Sequence, residues 1–186
     1  MNGKWKVFLN ETKLRVFDFD DTLVKTDAKV KVTYPDGTVE ALTPAEYAVH
    51  DIDEENDYDF EEFDRSTLIN PREIEKVTNV LRNVVNAGGG RQIAILTART
   101  PISQVAIEDF LDQIGIDHSS IEIVLVGTSD PAAKANWIEN KIVDGVTEVL
   151  FLDDSGKNVD AIKKLAVKYP DIKIDARKVE YAHEIE

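Results

Sequence analysis

Apolar residues fall in short, mainly apolar runs that alternate with stretches where they recur three and four positions apart. Residues 14–20 (LRVFDFD), 92–98 (QIAILTA), 121–127 (IEIVLVG) and 148–154 (EVLFLDD) are runs of the first kind, each bounded by polar residues. Runs of this length predict strands buried on both faces, as in a parallel sheet. Residues 172–175 (IKID) predict a fifth strand. The other stretches predict helices. Asn70-Pro71 reads as a cap and first-turn proline, Ile74, Val77, Leu81, Val84 and Val85 follow at helical spacing, and Gly88-Gly89-Gly90 ends the run. Residues 102–114, 131–143 and 158–169 predict three further helices. Strand–helix alternation of this kind predicts an α/β fold, a parallel sheet with helices on both faces.

One segment breaks the rhythm, from about residue 25 to residue 67. Residues 30–42 (VKVTYPDGTVEAL) alternate with period two around Pro35-Asp36-Gly37, the signature of a hairpin. HDIDEENDYDFEEFD follows, with nine acidic residues in fifteen. The pattern predicts a core formed by residues 1–24 and 68–186 and a small acidic insertion over residues 25–67. It leaves the chain after the first strand, at the sheet edge where open α/β folds bind ligands, so a lid is the natural reading.

Charge narrows the choice of partners. The 186 residues carry a formal net charge of −14, which argues against a surface that tracks a nucleic-acid duplex. There are no cysteines, so disulfides and thiolate-held metals are excluded, in keeping with a reducing compartment. Residues 1–15 contain no apolar leader core, and no run approaches the roughly 20 residues that span a bilayer. The expectation is a cytoplasmic protein with no membrane partner.

If the strands are parallel, their carboxyl ends share one edge. Asp18 and Asp20, Thr97, the Gly127-Thr128-Ser129 turn leading to Lys134, and Asp153 and Asp154 would then meet there. Two acid pairs facing each other are costly unless a cation lies between them. Mg²⁺ fits such a set, being a hard ion that prefers oxygen and leaves part of its shell to water and phosphate.

DFDDTL (residues 18–23), ILTAR (residues 95–99), the helical Lys134 and LFLDDSGKN (residues 150–158) together resemble, in that order, the four motifs of the haloacid-dehalogenase-like superfamily. The resemblance implies a Rossmann-like three-layer α/β/α core with a small inserted cap, and a Mg²⁺-dependent phosphatase acting through an aspartyl-phosphate. Asp18 would be the nucleophile and Asp20 the acid and then the base. Thr97, with Ala98, Arg99 and Lys134, would hold the phosphoryl group of the substrate. Lys134 would also neutralise charge on Asp18. Asp154 would be the main metal ligand of the last motif, Asp153 would assist, and Asp18 and the Asp20 backbone carbonyl would complete the set.

Several assignments stay open at this level. Lys141, two turns beyond Lys134, competes for the same role; Lys134 is preferred because it lies in the first turn. Asn158 stands where another acid is common in the family, and is read as orienting the aspartates. Arg99 is read either as a phosphate contact or as the partner of an acid on the lid. Asp21 is read as an exposed acid at a helix start, without a catalytic role. Asp51, Asp53, Glu55, Asp57, Asp59 and Glu62 match positions 1, 3, 5, 7, 9 and 12 of a calcium-binding loop, but Asn56 replaces its glycine, and a solvated acidic face is preferred. The favoured substrate is a small phosphorylated metabolite or nucleotide. The alternatives are a polynucleotide 3′-phosphate end, which the acidic lid disfavours, and a catalytically silent module that binds metal and phospho-ligand. Oligomeric state leaves no trace in the sequence.

Overall fold

The computed structural model describes residues 12–185, apart from the side chain of Ala48. Most of the stretch read for a leader, residues 1–11, lies outside them. The first strand, β1 (Thr12–Phe17), leads into the insertion. Between β1 and the next long helix the chain forms β2 (Val24–Lys25), β3 (Val30–Thr33), β4 (Val39–Leu42), α1 (Pro44–Val49), β5 (Asp57–Asp59) and β6 (Arg72–Glu73), so β2 and β6 flank the insertion read over residues 25–67. The chain then runs through α2 (Glu75–Ala87), β7 (Gln92–Thr97), α3 (Gln104–Gln113), β8 (Ile121–Leu125), α4 (Pro131–Val143), β9 (Val146–Asp153), α5 (Gly156–Lys168) and β10 (Lys173–Lys178).

Five of these strands form one parallel sheet in the order β10-β9-β1-β7-β8. The expected fifth strand is therefore present, at an edge. Alternation along the strands divides the core in two. Phe17, Ile93, Ile95 and Leu152 pack with Val77 and Leu81 of α2 and Ile107, Phe110 and Leu111 of α3. On the opposite face Leu14, Val16, Leu96, Val149 and Phe151 pack with Ile138 and Ile142 of α4 and Val159, Ile162 and Leu165 of α5. Because both faces are covered, the carboxyl-terminal halves of the central strands are apolar without alternation, while Lys13, Arg15 and Glu148 lie toward the amino ends of β1 and β9. The architecture is a Rossmann-like α/β fold in three layers.

The insertion is antiparallel. Strands β3 and β4 pair as the predicted hairpin, and Gly37 turns with φ +86°, a conformation that disfavours side chains with a Cβ. Val30 and Val32 are buried while Lys31 and Thr33 are half-buried, so the alternation read in the sequence is real. A third strand, β5, adds to the other side of β3 in the order β4-β3-β5. Its sequence, Asp57-Tyr58-Asp59, lies within the acidic run and carries no strand signal of its own. Tyr47 meets Tyr58 and Phe60 edge to face, with ring centroids 6.0 and 5.3 Å apart.

Two expectations need correction. Asn70-Pro71 does not start α2, because Arg72 and Glu73 pair antiparallel with Lys25 and Val24, and the helix begins at Glu75. Asn70 takes φ +46° and its amide donates to Asp27 at 3.0 Å, so it ties the base of the insertion instead of capping a helix. The first strand also stops at Phe17, which leaves Asp18 and Asp20 in the turn beyond it. Among the described residues no helix is long and apolar enough to cross a membrane.

Candidate functional site

Parallel pairing decides which strand ends become neighbours. β1 lies between β9 and β7, with Phe17 in register with Leu152 and with Ile95. The residues that follow, Asp18 and Asp153, are therefore adjacent across the sheet edge, and the Asp18 N–H extends the ladder to Leu152 O at 2.9 Å. Asp154 follows at once. The three carboxylates each present an oxygen, and these oxygens lie within 4.8 Å of one another. Among the described residues no other set of three or more acids and histidines converges in this way.

Lys134 reaches the same point from α4. Asp130 caps that helix by accepting from Ala132 N–H at 2.9 Å, and Pro131 occupies its first turn. One turn in, the Lys134 ammonium donates to Asp18 Oδ1 at 2.6 Å and to Asp153 Oδ2 at 2.8 Å. It is 3% exposed, against 6% for Asp18 and 0% for Asp153. The rival Lys141 instead pairs with Glu122 at 2.7 Å and lies over the Trp137 ring, on the outside of α4.

Hydrogen bonds fix the acids. Asn158 donates its amide to both oxygens of Asp153 at 3.0 Å, and Ser155 N–H adds a bond of 2.8 Å, so Asn158 orients an aspartate as expected. Thr22, four residues after Asp18 in the DFDDTL motif, was given no role of its own in the sequence. Its hydroxyl donates to Asp18 Oδ2 at 3.1 Å and accepts from Asp154 N–H at 3.1 Å, which joins the two acid segments. No donor among the described residues reaches the Asp154 carboxylate.

Charge is poorly balanced at this point. Burial, with Asp153 and Asp20 nearby and Lys134 opposing, pushes the Asp18 carboxyl up to about 7. Burial and then the charges of Asp18, Asp153 and Asp21 push Asp154 up to about 8. Burial alone would lower the Lys134 ammonium, but Asp18 and Asp153 outweigh it and hold it charged. Asp21 is not an exposed acid at a helix start. It lies in the turn with φ +54°, partly buried, and burial and Asp20 push its carboxyl up to about 6. One ammonium thus faces a cluster of acids, all hard oxygen ligands, with one carboxylate that takes no hydrogen bond from the described residues. That set fits a divalent cation of the Mg²⁺ class.

Asp20 and the strand-end residues of β7 occupy the adjoining edge. Thr97 is buried, and its hydroxyl accepts from Arg99 N–H at 3.2 Å; Ala98 beside it is half-buried. The Asp20 carboxylate is not part of the acidic triad. Arg99 grips it with two bonds of 2.8 Å. The same guanidinium donates to Phe63 O of the insertion at 2.6 Å, so Arg99 meets the insertion through its backbone and not through one of its acids. The calcium-loop frame has no matching geometry. Its seventh to ninth positions are strand β5, and Asp53 and Asp59 accept from the backbone of Glu55 and Glu61, two residues on.

Comparison of the chain with protein-family models, curated proteins and solved structures finds no match. The site therefore rests on its own geometry.

Proposed function

We propose that the protein is a Mg²⁺-dependent phosphomonoesterase of the haloacid-dehalogenase-like type. The single observation that carries the reading is Lys134, buried and bonded to both Asp18 and Asp153, beside an Asp154 carboxylate that no donor among the described residues reaches. An ammonium and a cation site flanking one carboxylate is an arrangement suited to bring that carboxylate against a phosphate dianion. Asp18, Asp153 and Asp154 would hold the ion, with the Asp20 carbonyl added by the family resemblance. When bound, it supplies positive charge that offsets the phosphoryl oxygens.

The residues of the chain supply the chemistry. An Asp18 oxygen attacks phosphorus, forming an acyl-phosphate bond as the ester P–O bond breaks. Lys134 offsets the charge on Asp18 and on the phosphoryl group. Thr97, with the backbone at Ala98, lies at the end of β7, at the same sheet edge, where phosphoryl oxygens are held in this reading. Asp20 gives a proton to the departing oxygen, then takes one from the water that attacks the acyl-phosphate, releasing inorganic phosphate and restoring Asp18. The acidic insertion and the net charge of −14 favour a small phosphorylated compound over a polynucleotide end.

Phosphate release from a panel of sugar phosphates, nucleotides and 3′-phosphorylated oligonucleotides, with Mg²⁺ or EDTA, tests this reading. The expected result is turnover that needs Mg²⁺ and is lost in Asp18→Asn. A folded protein that binds Mg²⁺ yet releases phosphate from none of them would leave a silent binding module as the better account.

A further inference from the structure

Arg99 has more partners than a substrate contact or a surface ion pair requires. Its side chain is 2% exposed, and all three guanidinium nitrogens are committed. Nε donates to Asp20 Oδ2 and Nη2 to Asp20 Oδ1, both at 2.8 Å, while Nη1 donates to Phe63 O at 2.6 Å. The rings of Phe19 and Phe63 lie on it with centroids 5.7 and 5.5 Å from the guanidinium carbon. Phe63 O accepts a second bond from Ser103 Oγ at 2.8 Å, and Thr100 N–H reaches Asp64 Oδ1 at 3.2 Å. The last turn of the insertion is therefore seated on the loop after β7, and the group that seats it also grips Asp20.

We propose that Arg99 is a positioning residue that aims the Asp20 carboxylate and ties that aim to the seating of the insertion. The inference rests on the phosphatase reading and adds a residue and a coupling to it. Asp20 stands on a turn, and among the described residues Arg99 alone donates to its carboxylate. Only a planar fork fixes both oxygens at once, and lysine would supply one point of contact. With Nη1 bound to the insertion, the guanidinium cannot swing without disturbing Phe63, so a shift of the insertion is passed to Asp20. A proton-transfer group works only when it is in hydrogen-bond reach of its target, so a misaimed Asp20 slows chemistry and leaves binding intact.

The test compares an alkyl phosphate, whose leaving oxygen needs a proton, with 2,4-dinitrophenyl phosphate, whose leaving phenolate does not. Arg99→Lys is expected to lower kcat for the alkyl ester by about 100-fold, with KM nearly unchanged. With the dinitrophenyl ester it is expected to keep a rapid burst of phenolate, followed by slow turnover. Ser103→Ala, which loosens Phe63 and leaves Arg99 intact, is expected to show the same pattern more weakly. Arg99→Lys combined with Asp20→Asn is expected to be no slower than Asp20→Asn alone, because Arg99 acts through Asp20.

A raised KM at constant kcat would make Arg99 a substrate contact and overturn the proposal. Equal loss on both esters, burst included, would make its role merely structural, and an inert Ser103→Ala would remove the coupling to the insertion. Native protein that turns over neither ester would sink the phosphatase reading together with this role. Asp18-dependent turnover that is insensitive to Arg99 would sink this role alone.

Discussion

Stability without metal should fall as pH rises from about 4 to about 8, the reverse of what salt-bridged carboxylates produce. Burial, with Asp153 and Asp20 adding to it, raises Asp18 from the ordinary 3.8 to about 7, and burial with the charges of Asp18 and Asp153 raises Asp154 to about 8. Between the ordinary and the raised values the folded chain holds protons that the unfolded chain has released, so stability declines as pH rises through that window. Asp21, at about 6, acts with the same sign over the lower half. Taken separately, Asp18 amounts to ~4 kcal/mol and Asp154 to ~6 kcal/mol above pH 8. The two are coupled and their contributions do not simply sum, so the combined loss is at least that of the larger one, about 6 kcal/mol.

For a chain of this size that loss is a drop of about 10–25 °C in melting temperature between pH 4 and pH 8, most of it above pH 5. The assay is urea or thermal unfolding in EDTA at several pH values, repeated in Mg²⁺. At pH 8 Asp18 is largely ionised and Asp154 partly so, and Mg²⁺ displaces few protons and should restore most of the loss; at pH 5 it must displace protons from both and should do little. Carboxylates held below their usual range, such as Asp27 and Glu73, lose their contribution only as pH falls below their ordinary values of 3.8 and 4.5, and leave the range from pH 5 to pH 8 undisturbed. A metal-free stability that is flat or rising from pH 5 to pH 8, or an equal Mg²⁺ effect at both ends, would refute the reasoning.

Three further outcomes follow from the same geometry and the fold around it. Asp154→Asn should stabilise the metal-free protein at pH 8 by about 2 kcal/mol and abolish its response to Mg²⁺, since it removes one of the repelling charges and one of the ligands; urea unfolding with and without the ion reads both. Lys134→Met should destabilise by about 3–5 kcal/mol at pH 8 in EDTA, because Asp18 and Asp153 lose their buried counter-charge, and by less at pH 5, where Asp18 is protonated. Gly37→Val should cost about 1–2 kcal/mol through its φ of +86° while leaving the Mg²⁺ response intact, as the hairpin turn carries none of the acids that converge; a normal melting curve would put the strain argument in error.

What could be read from the sequence was decided by how local its causes are. Helix α4 matched the expected residues 131–143 because Asp130 and Pro131 mark its start at the place where the helix begins. The core strands were legible because both of their faces are covered, which removes polar positions. The start of α2 was misread because Arg72 and Glu73 pair with a dipeptide almost fifty residues earlier, and no local signal records that partner. Strand β5 was hidden because its pairing with β3 satisfies the backbone while Asp57 and Asp59 look like part of a charge run. At the site, Asp18, Asp153, Asp154 and Lys134 could be brought together by counting strand ends. The grip of Arg99 on Asp20 and on the Phe63 carbonyl could not, since a backbone acceptor in a distant loop has no residue type to betray it.

The register between β1 and β9 explains why so unfavourable a cluster persists. Adjacent parallel strands lie ~4.8 Å apart, so acids placed just past Phe17 and just past Leu152, a registered pair, cannot avoid each other. A chain under selection for stability alone would place an amide or an apolar residue at either position, because either would fit a strand end without repulsion. This one keeps both acids, adds Asp154, and buries a single lysine between Asp18 and Asp153, which offsets only part of the charge. The surrounding sequence is locally consistent in its strands, caps and core, so the conflict is confined to one sheet edge. Conflicts confined in that way mark sites kept for chemistry, and the missing positive charge is what a divalent cation would supply.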